Sequence, residues 1–386
     1  MNQLKHNYSL SYHDPYDFWA SPKGVKIRKS FYTGKLSGKF NAAFYVFVDW
    51  LMPEFLRTQL KTQFFLHPIT LAQLILCHSL SPMNNFQKTV LAELLFKKSV
   101  YGKDFQYHAW GLDMPWMSKN GYYGKNIPFV THTPYAMEAM IELARDEIFQ
   151  KQALEYFNDT LRFLDSLKIM YEDEKMLAVS YGPVHETRIV INANAYAAFA
   201  YSLHARYGEK EIKTRASETA TRITKWVIDN QKNNGSWTYY SDTQPGNFID
   251  CFHSCFVIKN LIKIKKNLPS LEPLVTNSIG EGWEYVQDRF FNKNYNLVRR
   301  FVVRDIKDPY RWDLYDQAEY LGLLIDFDLK QKAENFAETV VKKFKKNNAW
   351  YCKIDFLGRQ WGKNFLRWGI VPFWYQQSRL INLLNK

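Results

Sequence analysis

Gln231-Lys232-Asn233-Asn234-Gly235-Ser236-Trp237, followed by Asn247-Phe248-Ile249-Asp250-Cys251-Phe252-His253-Ser254, is the stretch in which the fold of this chain can be read. The first segment closes a helix that begins near residue 211. Gly235 supplies a tight turn, and Trp237 can stack back over the loop. The second segment opens another helix, so helix, long loop and helix follow one another. Outward in both directions the unit returns roughly every 60 residues. Segments with apolar residues at i, i+3, i+4 and i+7 begin near 86, 148, 211, 272 and 330. Each leads through a loop to a second helix starting near 131, 190, 248, 313 or 363. Helices near 40 to 56 and 68 to 80 bring the total to about twelve, or six pairs.

The connections are unequal. Second helices pass to the next first helix through a few residues, as at Arg145-Asp146-Glu147 and Arg206-Tyr207-Gly208-Glu209. First helices reach their second helix through roughly 15 to 30 residues, a length uncommon in a compact domain unless the loop has work to do. Antiparallel pairs of this kind close into an all-α (α/α)6 toroid, with the second helices as the inner barrel. The long aromatic loops then share one rim, and short β-hairpins are expected within them. All inner helices aim their N-termini at that rim, each carrying roughly half a positive charge and unpaired N–H groups, so the rim favours an anion. Residues 56–386 are assigned to the toroid, and 1–55 to an N-terminal extension with a first helix.

A chain of 386 residues with 46% hydrophobic and 17% aromatic content can build a large core. Trp and Tyr crowd into the loops, where they can fill loop interiors or offer flat faces to sugar rings. The net charge of +13 and pI near 9.3 point to an acidic partner. No helix-turn-helix, RRM-like or zinc-finger pattern accompanies the charge, so nucleic acid is not expected. Cys77, Cys251, Cys255 and Cys352 suggest no disulfide framework, and a helix turns His253 away from Cys251 and Cys255, so no metal site is expected. The start, Met1-Asn2-Gln3-Leu4-Lys5-His6, lacks the apolar core of a secretory signal. Phe40 to Met52 is too short to span a bilayer and reads as a packed helix, with a membrane-surface position as the other reading.

Each long loop offers candidates. The first holds Trp110, Asp113 and Trp116, and ends at Thr131-His132-Thr133-Pro134. An aromatic wall would raise the pKa of Asp113, as suits a general acid. Thr131 as N-cap puts His132 at the rim. The second loop ends with Arg188 and enters a helix holding Asn192, Asn194 and Tyr196 among alanines. Asparagines so placed either bind something or complete buried hydrogen bonds. In the third, Asp250 and His253 are i and i+3, close enough to touch, and a carboxylate holds a histidine's tautomer and raises its basicity. Trp237 belongs to the same loop. The fourth contributes Arg299, Arg300 and Arg304, then Arg311-Trp312-Asp313-Leu314-Tyr315 and Gln317. Guanidinium groups clamp carboxylate, sulfate or phosphate bidentately, or pair with the neighbouring Asp305, Asp308 and Asp313.

From about Leu56 to Leu384 the ordered set Trp110-Gly111 with Trp116, Asn192-Ala193-Asn194, Gln231 to Trp237, and Asp250-Cys251-Phe252-His253 with Phe256-Val257 resembles a bacterial family. That family is the polysaccharide biosynthesis proteins of the VpsJ type, found in capsule, O-antigen and exopolysaccharide gene clusters. The QxxxGxW segment is also similar to the turn motif of terpenoid cyclases and other α/α toroids, including glucuronyl C5-epimerases. The DxDD acid of squalene-type cyclases is absent, so terpene cyclisation is not implied. Where the capsule-cluster relatives carry a Pro-Ile-Asp-Ile-His-like stretch, this chain keeps Asp313 but has Tyr315 in place of the histidine.

The resemblance implies carbohydrate chemistry in surface polysaccharide biosynthesis. Three functions stay open. The first is proton transfer on an anionic, uronate-containing glycan, as in an epimerase or lyase. It would use His253 as base oriented by Asp250, Tyr196 or His132 as second proton carrier, and Arg188, Arg299 or Arg300 as carboxylate clamp. The second is hydrolysis or glycosyl transfer by Asp113 with Asp250 or Asp313. The third is non-catalytic glycan binding in assembly. Trp110, Trp116, Asn192, Asn194, Trp237, Arg311, Trp312 and Gln317 complete the expected substrate contacts. No cofactor is expected. The expected partner is an anionic oligosaccharide or polysaccharide precursor, in the cytoplasm, with peripheral contact to membrane-bound assembly machinery on the inner face.

Overall fold

The computed structural model describes residues 13–80, 85–303 and 309–385. Met1–His6 and Arg304, Asp305 and Asp308, singled out above, lie outside the described residues. The helices are α1 (Pro22–Tyr32), α2 (Leu36–Leu51), α3 (Pro53–Gln59), α4 (Pro68–Leu80), α5 (Asn85–Lys97), α6 (Thr133–Leu143) and α7 (Gln150–Asp165). They continue with α8 (Ile191–Tyr207), α9 (Lys213–Asp229), α10 (Cys251–Asn267), α11 (Glu272–Arg289), α12 (Leu314–Asp326), α13 (Lys330–Phe344) and α14 (Val371–Leu384).

The even-numbered helices from α4 to α14 form an inner ring, each packed on the next, and α14 closes back on α4. Outside them α5, α7, α9, α11 and α13 each pack on the inner helix that precedes them in the chain. This is the expected (α/α)6 toroid, and its two layers have different sequences for a physical reason. An inner helix is flanked on several sides, so α8 is buried at every residue from Ile191 to His204, its alanines allowing close approach. An outer helix buries one stripe, in α13 Ala333, Phe336, Ala337, Val340 and Phe344, at the spacing of one helical face.

The loops from outer to inner helix all open at one rim, and short antiparallel strands stiffen them. Trp116–Ser118 pairs with Gly121–Tyr123, Ile169–Glu172 with Leu177–Val179, and Phe291–Asn292 with Leu297–Val298. Ala349–Asp355 is flanked by Tyr310–Asp313 and Gln360–Lys363, and Lys345–Lys346 joins it at the start. Ile249–Asp250 pairs with Phe301–Val303, which ties two loops together where α10 begins. The QxxxGxW segment is a clamp between helices. Gln231 Nε2 donates to the carbonyls of Gly235 and Ser278, and Trp237 Nε1 donates to that of Val227 at 2.9 Å.

The N-terminal helices correct one expectation. The segment near 40 to 56 is helical, as α2 and α3, but it is not a sixth outer helix. It packs on α1 and on the rim: Trp50 Nε1 donates to Asp355 Oδ2 at 3.1 Å, and Trp361 Nε1 to the Asp49 carbonyl at 2.8 Å. Arg57 holds Asp17 and Asp49 in a buried ion cluster at 3.1 and 2.5 Å. Asp17, Asp49 and Arg57 therefore face inward, and the apolar face of α2 is left outside. Among the described residues no helix is long and apolar enough to cross a membrane.

Candidate active site

A cavity of 740 Å³ opens on the loop rim, lined by the first turns of the inner helices and by the loops before them. α6 contributes Tyr135, with Thr131 and His132 just before it; α8 contributes Asn192 and Tyr196; α10 contributes Phe252, His253 and Phe256, with Asp250 at its cap; α12 contributes Tyr315. Phe31 and Tyr32 of α1 border it from the N-terminal side.

The centre of the wall is the start of α10. Asp250 is held extended by its pairing with Phe301, and Arg300 accepts from Cys251 N through its carbonyl at 2.8 Å. One turn on, His253 Nδ1 meets both Asp250 oxygens, at 2.8 and 2.9 Å. A carboxylate in this geometry accepts, so Nδ1 donates, and in the neutral ring Nε2 carries the lone pair. Aromatic rings enclose the imidazole, with Phe252 at 3.9 Å and Tyr239 at 4.6 Å between centroids.

Behind this pair lies a cluster of charge. Arg300 Nη1 reaches Asp313 Oδ2 at 3.0 Å and Asp316 Oδ2 at 3.4 Å, and its guanidinium lies over the Phe252 ring. Burial pushes the Asp316 carboxyl well above the usual carboxylate range, Asp313 and Asp250 add to this, and Arg300 opposes it. Asp313 caps α12 by accepting from Tyr315 N, and also accepts from Trp368 Nε1 at 3.0 Å. Trp368 stands in an irregular turn, Leu366–Ile370, before α14. Its neighbour Gly369 has φ of +95°, and a side-chain carbon there would come within 2.8 Å of Leu314 Cβ and Tyr315 N. That close approach seats Trp368 on Tyr315 at 5.2 Å and puts Arg367 into the wall.

Arg367 Nη1 pairs with Asp14 Oδ2 at 2.5 Å, while its buried Nε has no hydrogen-bond partner among the described residues. Asn192 Oδ1 and His132 Nε2 are likewise buried in the wall without a hydrogen-bond partner among the described residues. Burial, then Arg367 and His67, hold the His132 pKa well below its ordinary value, so the ring is neutral. Thr131 Oγ1 donates to Tyr181, which leaves His132 Nδ1 to donate to Thr131 and Nε2 to carry the lone pair.

A second hydrogen-bonded chain starts at Tyr196. Its hydroxyl lies 2.7 Å from that of Tyr135, which accepts from Lys259 Nζ at 2.8 Å, and Lys259 donates to Glu319 Oε2 at 2.7 Å. Burial lowers the Lys259 pKa from its ordinary value, with Glu319 opposing, and burial raises both phenols.

Of the residues singled out from sequence, His253, Asp250, Tyr196, His132, Trp116, Asn192 and Arg300 line the cavity. Asp313 sits one layer behind it. The other expected catalytic and substrate-contact residues lie outside the lining, most with structural partners. Asp113 is held by Lys98 at 2.5 Å and Lys125 at 3.8 Å, in place of the site walled by tryptophans that was expected. Trp110 and Trp237 are buried with their indole N–H groups on the Leu95 and Val227 carbonyls. Asn194 bonds Val179 and Val190, and Gln317 bonds Val298 and Asp313 through the backbone. Arg188 is spent on a two-point pair with Asp242 at 2.7 and 2.5 Å. Arg299 is exposed. Arg311 and Trp312 line a separate rim groove of 690 Å³, with Arg311 over Tyr295.

Sequence reasoning missed Arg367, Trp368 and the Lys259–Glu319 pair. For the pair a signal existed: Lys259 in Val257-Ile258-Lys259-Asn260-Leu261 and Glu319 in Ala318-Glu319-Tyr320-Leu321 are charges set within apolar helical runs, which stay buried only when paired.

No protein-family model and no curated protein sequence matches this chain. Solved structures do. Cellobiose 2-epimerase from Bacillus thermoamylovorans is similar at 12% identity over 83% of this chain and 88% of its own, with a TM-score of 0.60. A D-mannose isomerase follows at 12% identity over 83% and 87%, with a TM-score of 0.59. A GH76 α-mannanase from Bacteroides thetaiotaomicron is 11% identical over 83% and 88%, with a TM-score of 0.52. At such identities the likeness carries the fold, the α/α toroid, and no more.

Proposed function

We propose that this protein is a carbohydrate-active enzyme that moves a proton at a sugar carbon of an anionic, uronate-containing glycan, as an epimerase or lyase in bacterial surface polysaccharide biosynthesis. The observation that carries this reading is the His253–Asp250 pair in the wall of an aromatic cavity. A histidine so oriented presents a lone pair on Nε2, as a general base requires. It would take the proton from the carbon beside the carboxylate, and the electron pair would move onto the carboxylate as an enolate. Arg367, through its Nε, and Arg300 would supply the positive charge that stabilises such an anion. The proton returned to the opposite face would come from Tyr196, resupplied through Tyr135 by Lys259. His132, neutral and with its lone pair on Nε2, suits accepting a substrate hydroxyl rather than giving a proton.

The neighbours in fold add support, since two of those structures are named as a sugar 2-epimerase and a sugar isomerase. The mannanase belongs to the hydrolytic alternative, which needs two carboxylates across one bond. Among the described residues Asp250 is the one carboxylate in the lining, and Asp113 and Asp313 stand outside it. The surface-polysaccharide role rests on the resemblance to the VpsJ-type proteins, and a place in the cytoplasm on the free thiols of Cys77, Cys251, Cys255 and Cys352, which suit a reducing compartment.

The test is incubation of the pure protein in D2O with acidic capsular oligosaccharides and with neutral reducing sugars, read by NMR and mass spectrometry. Deuterium at the carbon beside the carboxylate, absent with His253→Ala, is the expected result. Exchange on neutral sugars alone would move the substrate class. Cleavage without deuterium would hand the reaction to the carboxylates, and binding without either would make this an assembly protein.

A further inference from the structure

We infer that the outward face of α2 docks this protein on a membrane surface bearing anionic headgroups. Leu36, Phe40, Phe44, Phe47 and Leu51 are 85%, 77%, 54%, 54% and 43% exposed. At 100° per residue they fall within an arc of about 80° on one side of the helix. The opposite side carries Gly38, Tyr45 and Asp49, which turn toward α1 and the buried Arg57. The helix is thus inverted relative to an ordinary surface helix, which buries its apolar stripe. The patch continues beyond α2, because Phe356, 60% exposed, stacks on Trp50 at 5.8 Å. Contiguous exposed apolar surface of this kind marks an interaction site.

Charge selects the occupant. Lys35, at the N-cap of α2, and Lys39, about 60° from the edge of the stripe, are exposed beside it; Lys23, Lys26 and Lys29 on α1 and Lys61 after α3 add exposed positive charge, and Glu54 is the exposed acid of residues 22–61. Phenylalanines and leucines on one face with lysines at its border match a helix lying in the headgroup layer, where apolar burial and attraction to anionic lipid add. A second copy of the chain would bring the same lysines together and repel. Docked in this way, α1, whose Phe31 and Tyr32 border the cavity, lies one helix layer from the headgroups, which suits a glycan carried on a lipid, a consequence that rests on the function proposed above.

The test is flotation of the purified full chain with vesicles of phosphatidylglycerol and phosphatidylcholine in equal parts, against vesicles of phosphatidylcholine alone. Binding to the first and not the second is expected, with loss of binding on Phe40→Ser combined with Phe44→Ser. Lys35→Gln and Lys39→Gln should each lower partition about fivefold and flatten its salt dependence. These positions are exposed, and an unchanged circular dichroism spectrum and melting curve would show that the variants fold. Absence of binding to the anionic vesicles overturns the proposal. So does a dimer, detected by sedimentation, that the same serines dissolve while vesicle binding stays nil. No substrate enters the assay, so its failure is separate from failure of the catalytic reading.

Discussion

His253 Nδ1 stands 2.8 Å from Asp250 Oδ1 and 2.9 Å from Oδ2, so one carboxylate holds one imidazole from the preceding turn of the same helix start. Asp250 is itself fixed by strand pairing with Phe301 and is 2% exposed, so it cannot swing away to share the histidine with water. The consequence is a base whose direction is set before substrate arrives. Asp250→Asn keeps the size of the side chain but loses the charge and lets the ring adopt the other tautomer. Proton exchange into substrate should fall about 10²- to 10⁴-fold, with the folded spectrum unchanged. Wild-type exchange in this variant would remove the orienting role.

The turn at Gly235 tests the fold. Its φ is +82°, and a side-chain carbon there would sit 2.3 Å from the Glu281 carbonyl oxygen. Gly235→Ala meets both a left-handed backbone and a backbone clash that no rotamer relieves, a cost of about 2–4 kcal/mol. Urea unfolding should show that loss, while exchange activity per folded molecule stays near wild type because the clamp lies away from the cavity. A variant as stable as wild type would mean that the turn opens freely.

These two cases show what could be read without coordinates. Helix–loop alternation is legible because an outer helix must bury a stripe at helical spacing, as α13 does, and an inner one tolerates alanines on all sides, as α8 does. The Asp250–His253 contact is legible because i and i+3 on one helix start meet whatever surrounds them. The duty of Trp110, Trp237, Asn194 or Arg188 is not, because it depends on which distant carbonyl or carboxylate the fold brings up: Leu95, Val227, Val179 and Asp242. Arg367 and Trp368 were hidden for a related reason. Their entry into the wall follows from an irregular turn whose cause is the contact of Gly369 with α12. α2 misled because its apolar periodicity is that of a packed helix, and periodicity does not say which side has a neighbour.

Glu186 gives a pH-dependent signature. Its carboxylate accepts from Tyr123 OH at 2.9 Å and Tyr181 N at 2.7 Å, yet burial wins and its pKa is pushed up to about 7. The folded state therefore binds this proton more tightly than the unfolded chain. Its stabilising contribution is full below about pH 4.5 and is lost as pH rises through 7. Glu186→Gln has no charge to bury, so its stability relative to wild type should grow across that window by on the order of 2–3 kcal/mol. The difference matters more than either curve, because His67 and His204, both pushed down to about 4 by burial, act in the opposite direction as pH falls below 6.5. Urea midpoints of both proteins from pH 4.5 to 7.5 check it, and parallel curves would show that Glu186 is ionised throughout.

Beneath the cavity, Lys259 and Glu319 join two inner helices, α10 and α12, by an ion pair of 2.7 Å with side-chain exposures of 8% and 1%. Neither charge has water to fall back on, so removing one strands the other. Lys259→Met should destabilise by about 3–5 kcal/mol, whereas Lys259→Met combined with Glu319→Leu should recover most of the loss, since two apolar side chains suit that interior. Stability alone would fit a merely structural pair. The pair also holds the hydroxyl of Tyr135, and through it Tyr196, so the double variant should regain its fold while proton return to substrate remains slowed. The readout is the ratio of deuterium wash-in to product formation for wild type and double variant. An unchanged ratio in a refolded double variant would confine Lys259 to holding the ring closed and would take the returning proton away from Tyr196.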